Sequence, residues 1–76
     1  MFDRIACNPE ILGGKPVVKG TRISVEIILE WLASGSTPEE IVAEYDQLSV
    51  EDIQQALRYA AASVQGNVVL QTKVAS

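Results

Sequence analysis

A run of turn-forming residues near the N terminus, residues 8–23, constrains this chain more than any other feature. It holds three of the five glycines and two of the three prolines. Proline lacks a backbone N–H donor and glycine readily adopts a positive φ, so neither suits the middle of a helix or of a central strand. We therefore predict that the N-terminal third is an extended, turn-rich arm of short edge strands, with helices after it.

The arm also differs from the rest of the chain in charge. Residues 1–22 contain four basic and two acidic side chains, a net charge of plus two, whereas the remaining residues contain two basic and eight acidic ones, a net charge of minus six. Binding to phosphates requires clustered lysine and arginine, and only the arm meets this condition. A basic arm in front of an acidic body is the pattern that any function has to explain.

Two short extended segments are predicted within the arm. Residues 4–7 form the first, which ends at Asn8-Pro9 because a residue before proline avoids the helical region. Gly13-Gly14 then allows a sharp reversal. Residues 15–19 form the second segment, and Pro16 confines it to a sheet edge or a strand start.

Two helices are predicted next, from cap residues and apolar periodicity. Residues 25–33 place apolar side chains at three- and four-residue steps after Ser24, a preferred N-cap. Residues 38–45 follow Thr37, with proline at the first helical position and glutamate three residues after the cap.

A third helix is predicted over residues 50–63, after a cap at Ser49. Its predicted inward face comprises Val50, Ile53, Leu57, Ala60 and Val64. Gly66-Asn67 is a turn-forming pair, and the β-branched residues of 68–74 predict either a C-terminal strand or a tail ordered only by its surroundings. The predicted organisation is one domain over residues 1–63, with the arm over 1–23 and three helices over 24–63, and a tail over 64–76.

The size of the chain predicts an oligomer. A domain of 76 residues buries only about 60% of the surface that its unfolded chain exposes, so its core is marginal. Almost half of the residues are apolar, and Ile27 and Trp31 widen the apolar stripe of the first helix beyond the needs of one small core. We expect these two residues to lie in the interface of a homodimer or higher oligomer.

Composition excludes several classes of function. One cysteine and no histidine leave no intrachain disulfide and none of the usual zinc spacings, so we predict no metal and no cofactor. Nothing supplies a nucleophile with its base, so no catalytic residues and no enzyme activity are expected; Glu39, Glu40 and Glu44 are interpreted as solvated carboxylates. Without an apolar run of bilayer length or a signal-peptide pattern, we expect a cytoplasmic protein that does not bind membranes.

Three cations of the arm, Lys15, Lys19 and Arg22, recur at spacings that would place several charges along one phosphate track or partner surface. The alternative is a solvated edge strand, because lysine and proline at an edge discourage unwanted strand pairing. Arg22 lies two residues before a helix cap and would also suit an ion pair with a carboxylate of the body.

The second and third predicted helices have the size and spacing of a helix-turn-helix, in which the second helix enters the major groove of DNA. Gln54 and Gln55 would then bond adenine edges, and Arg58 would reach a guanine or a phosphate. Glu51 and Asp52 count against this interpretation, because they place negative charge where the helix would approach the bases. Their ordinary role at that position is capping and pairing with the helix dipole.

A family resemblance covers residues 4–62. It is carried by Asn8-Pro9, Gly13-Gly14-Lys15-Pro16 and Lys19-Gly20-Thr21-Arg22-Ile23-Ser24-Val25, and it continues through Gly35-Ser36-Thr37-Pro38-Glu39-Glu40-Ile41 and Ala56-Leu57-Arg58-Tyr59-Ala60-Ala61. These segments resemble the small prokaryotic domain of unknown function 433. The resemblance implies a homeodomain-like helical domain with a short β arm, and the antitoxin of a toxin–antitoxin pair, often encoded beside a nuclease-like toxin of the PIN type.

Three functions stay open at this stage. The first is a non-catalytic, antitoxin-like dimer that binds its toxin and its own promoter DNA. The second is a protein-interaction module whose acidic body covers a basic toxin surface and which binds no DNA. The third is a structural homo-oligomer built on Ile27, Trp31 and residues 68–74. All three share the same predicted fold, a mainly α, three-helix bundle with a short β arm.

Overall fold

The computed structural model describes the backbone of residues 2–75 and the side chains of residues 2–65. In chain order the elements are β1 (Ile5–Cys7), β2 (Pro16–Val18), α1 (Val25–Ala33), α2 (Pro38–Glu44) and α3 (Val50–Ala75). The predicted helical bundle with a short N-terminal β arm is confirmed. Among the helices described, none combines the length and the apolar character needed to cross a membrane.

The two strands form an antiparallel hairpin. Ile5 pairs with Val18, and Cys7 pairs with Pro16, which opens β2 as the sequence predicted. Between the strands the chain reverses through Leu12–Gly14, whose three residues have φ angles of 51°, 67° and 90°. Glycine adopts such angles without steric cost, so the glycine pair allows the tight reversal.

A compact turn joins β2 to α1. The Thr21 hydroxyl donates to the carbonyl oxygen of Val18 (2.8 Å) and accepts from the N–H of Ile23 (3.0 Å). At the helix start, the Ser24 hydroxyl accepts from the N–H of Ile27 (3.0 Å), which confirms Ser24 as the N-cap. The turn thereby delivers the chain directly into a capped helix.

Reciprocal hydrogen bonds start both of the following helices. The Thr37 hydroxyl accepts from the N–H of Glu40 (3.1 Å), and Glu40 Oε1 accepts from the N–H of Thr37 (2.9 Å). Ser49 and Asp52 form the same pair of bonds at the start of α3, at 3.2 and 2.9 Å. Both predicted starts are confirmed, and α2 ends one residue before the predicted Tyr45, which is extended.

The core is centred on Ile28 of α1 and Ile53 of α3, which are both fully buried. Ala56 is buried with them, whereas Leu57 and Val64 are 41% and 48% exposed, so their predicted inward position was wrong. Two neighbouring stripes of α3 satisfy the same three- and four-residue spacing, and packing against α1 selects the one that contains Ala56. A small side chain there leaves room for α1 and α3 to lie close together.

The end of α3 also differs from the prediction. The helix continues to Ala75, so it neither ends near residue 63 nor turns at Gly66-Asn67, and the described backbone forms no strand over residues 68–74. A strand needs a neighbour for its backbone hydrogen bonds, whereas a helix makes them within itself. One internal glycine costs only about 1 kcal/mol relative to alanine, which does not end a helix.

A buried carboxylate anchors the arm on α3. Asp52 is only 7% exposed. Its Oδ1 lies 3.1 Å from Nη1 of Arg4, and its Oδ2 accepts the N–H of Ser49. Beside it, the rings of Phe2 and Tyr59 meet edge to face with centroids 5.3 Å apart. Asp52 therefore connects the start of α3 to Arg4, the residue directly before β1, although the two lie 48 residues apart in the sequence.

Replacing this carboxylate tests its role. Asp52→Ala should lower the free energy of unfolding by about 1–3 kcal/mol, because it removes a cap and leaves Arg4 without a partner; the half-exposed Arg4 moderates the loss. Urea unfolding at neutral pH measures the change. The matched control is Glu51→Ala, an exposed acidic residue in the same helical turn, which should cost about 0.5 kcal/mol or less. Equal losses in the two variants would contradict the anchoring role.

Candidate partner-binding surface

The three arm cations predicted as contacts do not form one continuous track. Lys15 Nζ lies 2.9 Å from Glu26 Oε1 of α1, and both side chains are about 60% exposed. The hydrogen bond to Glu26 raises the pKa of Lys15. Lys19 and Arg22 are exposed, and within the described part of the chain neither forms an ion pair. Two cations at the β2–α1 turn therefore remain available to a ligand.

The ion pair expected for Arg22 is made by Arg4 instead. Arg22 lies beside a shallow depression lined by Ile11 and Gln47, whereas Arg4 precedes β1 and reaches the carboxylate of Asp52. Since β1 pairs with β2 and also packs on α3, the residue before it is better placed than the turn to meet the start of α3.

Of the three residues predicted to read DNA, one makes contacts within the chain and two face the solvent. Gln55 accepts the backbone N–H of Arg4 and donates to Asp3 Oδ1 at 3.0 Å, and this bond lowers the pKa of Asp3. Gln54 and Arg58 are exposed. Gln55 is therefore part of the attachment of the arm, and only Gln54 and Arg58 of the three are free to contact a ligand.

The two residues predicted for an oligomer interface are both partly buried. Ile27 lies on α1 close to its N-cap. Trp31 packs against the core, and its ring stacks on Tyr45 with centroids 4.6 Å apart and planes 11° from parallel. The stack joins α1 to the residue that ends α2, so much of the apolar surface of Trp31 has an intramolecular role.

A groove of about 590 Å³ opens beside this aromatic pair. We call it the α1–α2 groove, and its lining includes Trp31, Ser36, Glu40, Ile41, Glu44 and Tyr45. Glu40 and Glu44 are four residues apart on α2, so their side chains lie on the same side of the helix. The bond from Thr37 N–H holds one oxygen of Glu40 in place. Among the described residues, no cation pairs with either carboxylate.

This combination of groups suits a cationic side chain. A guanidinium or ammonium group is attracted to the face of an aromatic ring and forms strong hydrogen bonds with carboxylates. Arginine combines both interactions, because its planar head stacks on rings and offers five donors. The lining of the α1–α2 groove therefore combines the two kinds of group that an arginine or lysine side chain prefers.

Sequence reasoning missed this groove. Glu40 and Glu44 were interpreted as a solvated helix surface, and Trp31 was assigned to an oligomer interface without its partner Tyr45. The sequence does contain a pattern that could have indicated it. Glu40 and Glu44 are four residues apart, and so are their direct neighbours Ile41 and Tyr45. Residues four apart lie on the same side of a helix, so the pattern places the ring of Tyr45 beside two carboxylates.

Two further features of the described residues bear on chemistry. No three histidine, cysteine or acidic side chains lie close enough together in the described chain to hold a metal ion. Cys7 Sγ lies 4.0 Å from the hydroxyl of Tyr59, and this contact raises the pKa of Tyr59. The contact helps to seat β1 on α3 in the same region as Arg4.

Two comparisons, with a family model and with a solved structure, identify the same family. The family model described as "Protein of unknown function (DUF433)" matches residues 5–60. The uncharacterized protein y4eO of Sinorhizobium fredii (strain NBRC 101917 / NGR234) is 37% identical over 59 residues, which are 78% of this chain and 27% of that protein. The chain thus spans only about a quarter of that relative's length.

A solved structure is similar throughout. The crystal structure of a DUF433 member from Anabaena variabilis ATCC 29413 has a TM-score of 0.76 and 26% sequence identity, over 97% of this chain and 70% of that one. The fold described above therefore also occurs in a structure that was determined by crystallography.

Proposed function

This chain belongs to the DUF433 family of proteins of unknown function, whose model matches residues 5–60, and we propose that it is a non-catalytic, antitoxin-like module. Its partner is a basic, nuclease-like toxin of the PIN type, which it binds through the α1–α2 groove. The acidic helical body covers the surface that the toxin uses for nucleic acid.

One observation carries this proposal: Glu40 and Glu44 flank the stack of Trp31 and Tyr45 and have no cationic partner among the described residues. Carboxylates beside an aromatic groove favour a cation from outside. A nuclease contacts phosphates through lysine and arginine, so its binding surface is basic. Opposite charges on two surfaces speed their association and select the partner.

The antitoxin role itself is supported by the resemblance of the arm and the helices to the family. The net charge of minus four has the sign that such a role needs, because an acidic protein is repelled by RNA and attracted to a protein that binds RNA. The remaining part of the proposal, inhibition of the toxin, follows if the α1–α2 groove covers residues that the toxin uses for its substrate.

Co-expression with the products of the neighbouring reading frames tests this function. A basic neighbour should copurify with the chain, and its degradation of RNA should be suppressed in the complex. Glu40→Gln with Glu44→Gln should weaken the complex about two- to thirtyfold, since two exposed ion pairs at about 0.2–1 kcal/mol each contribute about 0.4–2 kcal/mol together. Glutamine at position 40 keeps the cap of α2, so the helix itself is preserved.

The matched control removes the same charge elsewhere. Glu10→Gln with Glu51→Gln changes two exposed acidic residues outside the α1–α2 groove and should leave the affinity nearly unchanged at physiological salt. Equal weakening by both pairs would point to diffuse charge attraction instead of the groove. Failure of every neighbouring product to copurify would remove the antitoxin function.

Promoter DNA is a second candidate ligand, favoured by the exposed Lys19 and Arg22 and by the spacing of α2 and α3. If DNA binds, we expect the contacts to be made by the arm, because Gln55 of α3 is already hydrogen-bonded to Arg4 and Asp3. Lys19→Ala with Arg22→Ala should then abolish a mobility shift on the upstream DNA at low salt. Lys15→Ala should not, because Lys15 is paired with Glu26. No retardation by the unaltered chain at low salt, on DNA with a two-fold symmetric site, would exclude this candidate.

A further inference from the structure

A stretch of α3 beyond the core, residues 61–65, is exposed on every side. Among the described side chains of α3, Ala60 is the last that packs against the core, and residues 61–65 are all exposed. Five consecutive residues cover more than one full helical turn, so no side of the helix is covered over that stretch. The helix nevertheless continues to Ala75. Isolated helices of about 12–15 residues are marginal in water, so this length of helix calls for a packing partner.

An apolar stripe marks where that partner would pack. Leu57, Ala61 and Val64 are exposed and follow one another at steps of four and three residues. This is the spacing of a seam between two paired helices, in which side chains of each helix fill holes on the other. We call Leu57, Ala61 and Val64 the α3 seam. It lies beside the stripe that packs on α1, and it includes two of the four most exposed large apolar residues described.

The charge distribution indicates what can pack on the α3 seam. Arg58 is the only charged residue between Asp52 and Lys73, although the whole chain carries a net charge of minus four. Elsewhere the acidic surface of one copy would repel that of another. At the α3 seam two copies can approach without bringing carboxylates together, and every apolar group that one copy buries is matched by the same group on the other.

We propose that the α3 seam is a homodimer interface and that its occupant is a second copy of this chain. Pairing of two α3 helices buries Leu57 and Val64 and covers part of residues 61–65, which are exposed on every side in the single chain. The interface differs from the one predicted from sequence, where Ile27 and Trp31 of α1 were the expected contacts. It does not depend on toxin binding, because the α1–α2 groove is formed by other helices.

Sedimentation velocity of the full chain over micromolar to submillimolar concentrations tests the proposal. The unaltered chain should sediment at twice its 8.2 kDa mass. Leu57→Lys with Val64→Lys should weaken dimerisation by at least about tenfold, because the seam would have to bury two charges from each copy. The helical circular dichroism of the double variant should also fall, since the second half of α3 loses its partner.

A control variant of the same type separates the α3 seam from general effects of charge. Leu12→Lys replaces another leucine, 47% exposed and outside the seam, and should leave the dimer intact. Because Leu57 and Val64 are exposed in the single chain, the double variant should keep a cooperative unfolding transition, which shows that the body is folded. A monomeric unaltered chain at submillimolar concentration would overturn the proposal, and so would a double variant that dimerises as well as the Leu12→Lys control.

Discussion

The rest of the structure depends on the hydrogen bonds that the carboxylate of Asp52 accepts. One of its oxygens caps α3 and the other holds Arg4 at 3.1 Å, so the arm and the last helix are joined at one buried point. An ion pair made by a buried carboxylate is weak evidence of stability by itself, since the cost of desolvating that carboxylate offsets much of the Coulomb attraction. Here the desolvated group also accepts a backbone N–H, and Gln55 adds a second link to the arm one turn later. The positive arm is thus bound to the negative body by specific contacts.

This attachment limits which surfaces can serve a partner. The first turns of α3 hold the arm, so Arg4 and Gln55 are not available to DNA, and the acidic start of the helix has a structural purpose. Within the part of the chain whose side chains are described, the candidate binding surfaces include the α1–α2 groove, the cations at the β2–α1 turn and the α3 seam. Their chemistry differs, since the first favours a cation, the second an anion and the third an uncharged helix. The proposed toxin contact and the proposed homodimer therefore use different surfaces of the same small domain.

Local signals in the sequence predicted what local interactions decide. A cap such as Thr37 bonds a residue three positions away, so the starts of all three helices were predicted correctly. The ion pair of Arg4 and Asp52 was not predicted, because the two residues lie 48 positions apart. Nothing in the sequence distinguishes Arg4 from the other basic residues, or Asp52 from the other acidic residues, as members of that pair. The stack of Trp31 on Tyr45 likewise depends on how α1 and α2 are placed relative to each other. The side of α3 that faces the core was predicted wrongly, because neighbouring apolar stripes are equivalent in the sequence until another helix packs on one of them.

A nuclear magnetic resonance titration with an arginine-rich peptide at physiological salt tests most directly whether the α1–α2 groove binds cationic side chains. Trp31 is the only tryptophan of the chain, so its indole N–H gives a single, unambiguous signal. We expect this signal and the backbone signals of Glu44 and Tyr45 to shift together and to saturate, while those of the β2–α1 turn stay in place. Shifts that rise linearly without saturation, or that appear only outside the groove, would contradict the account.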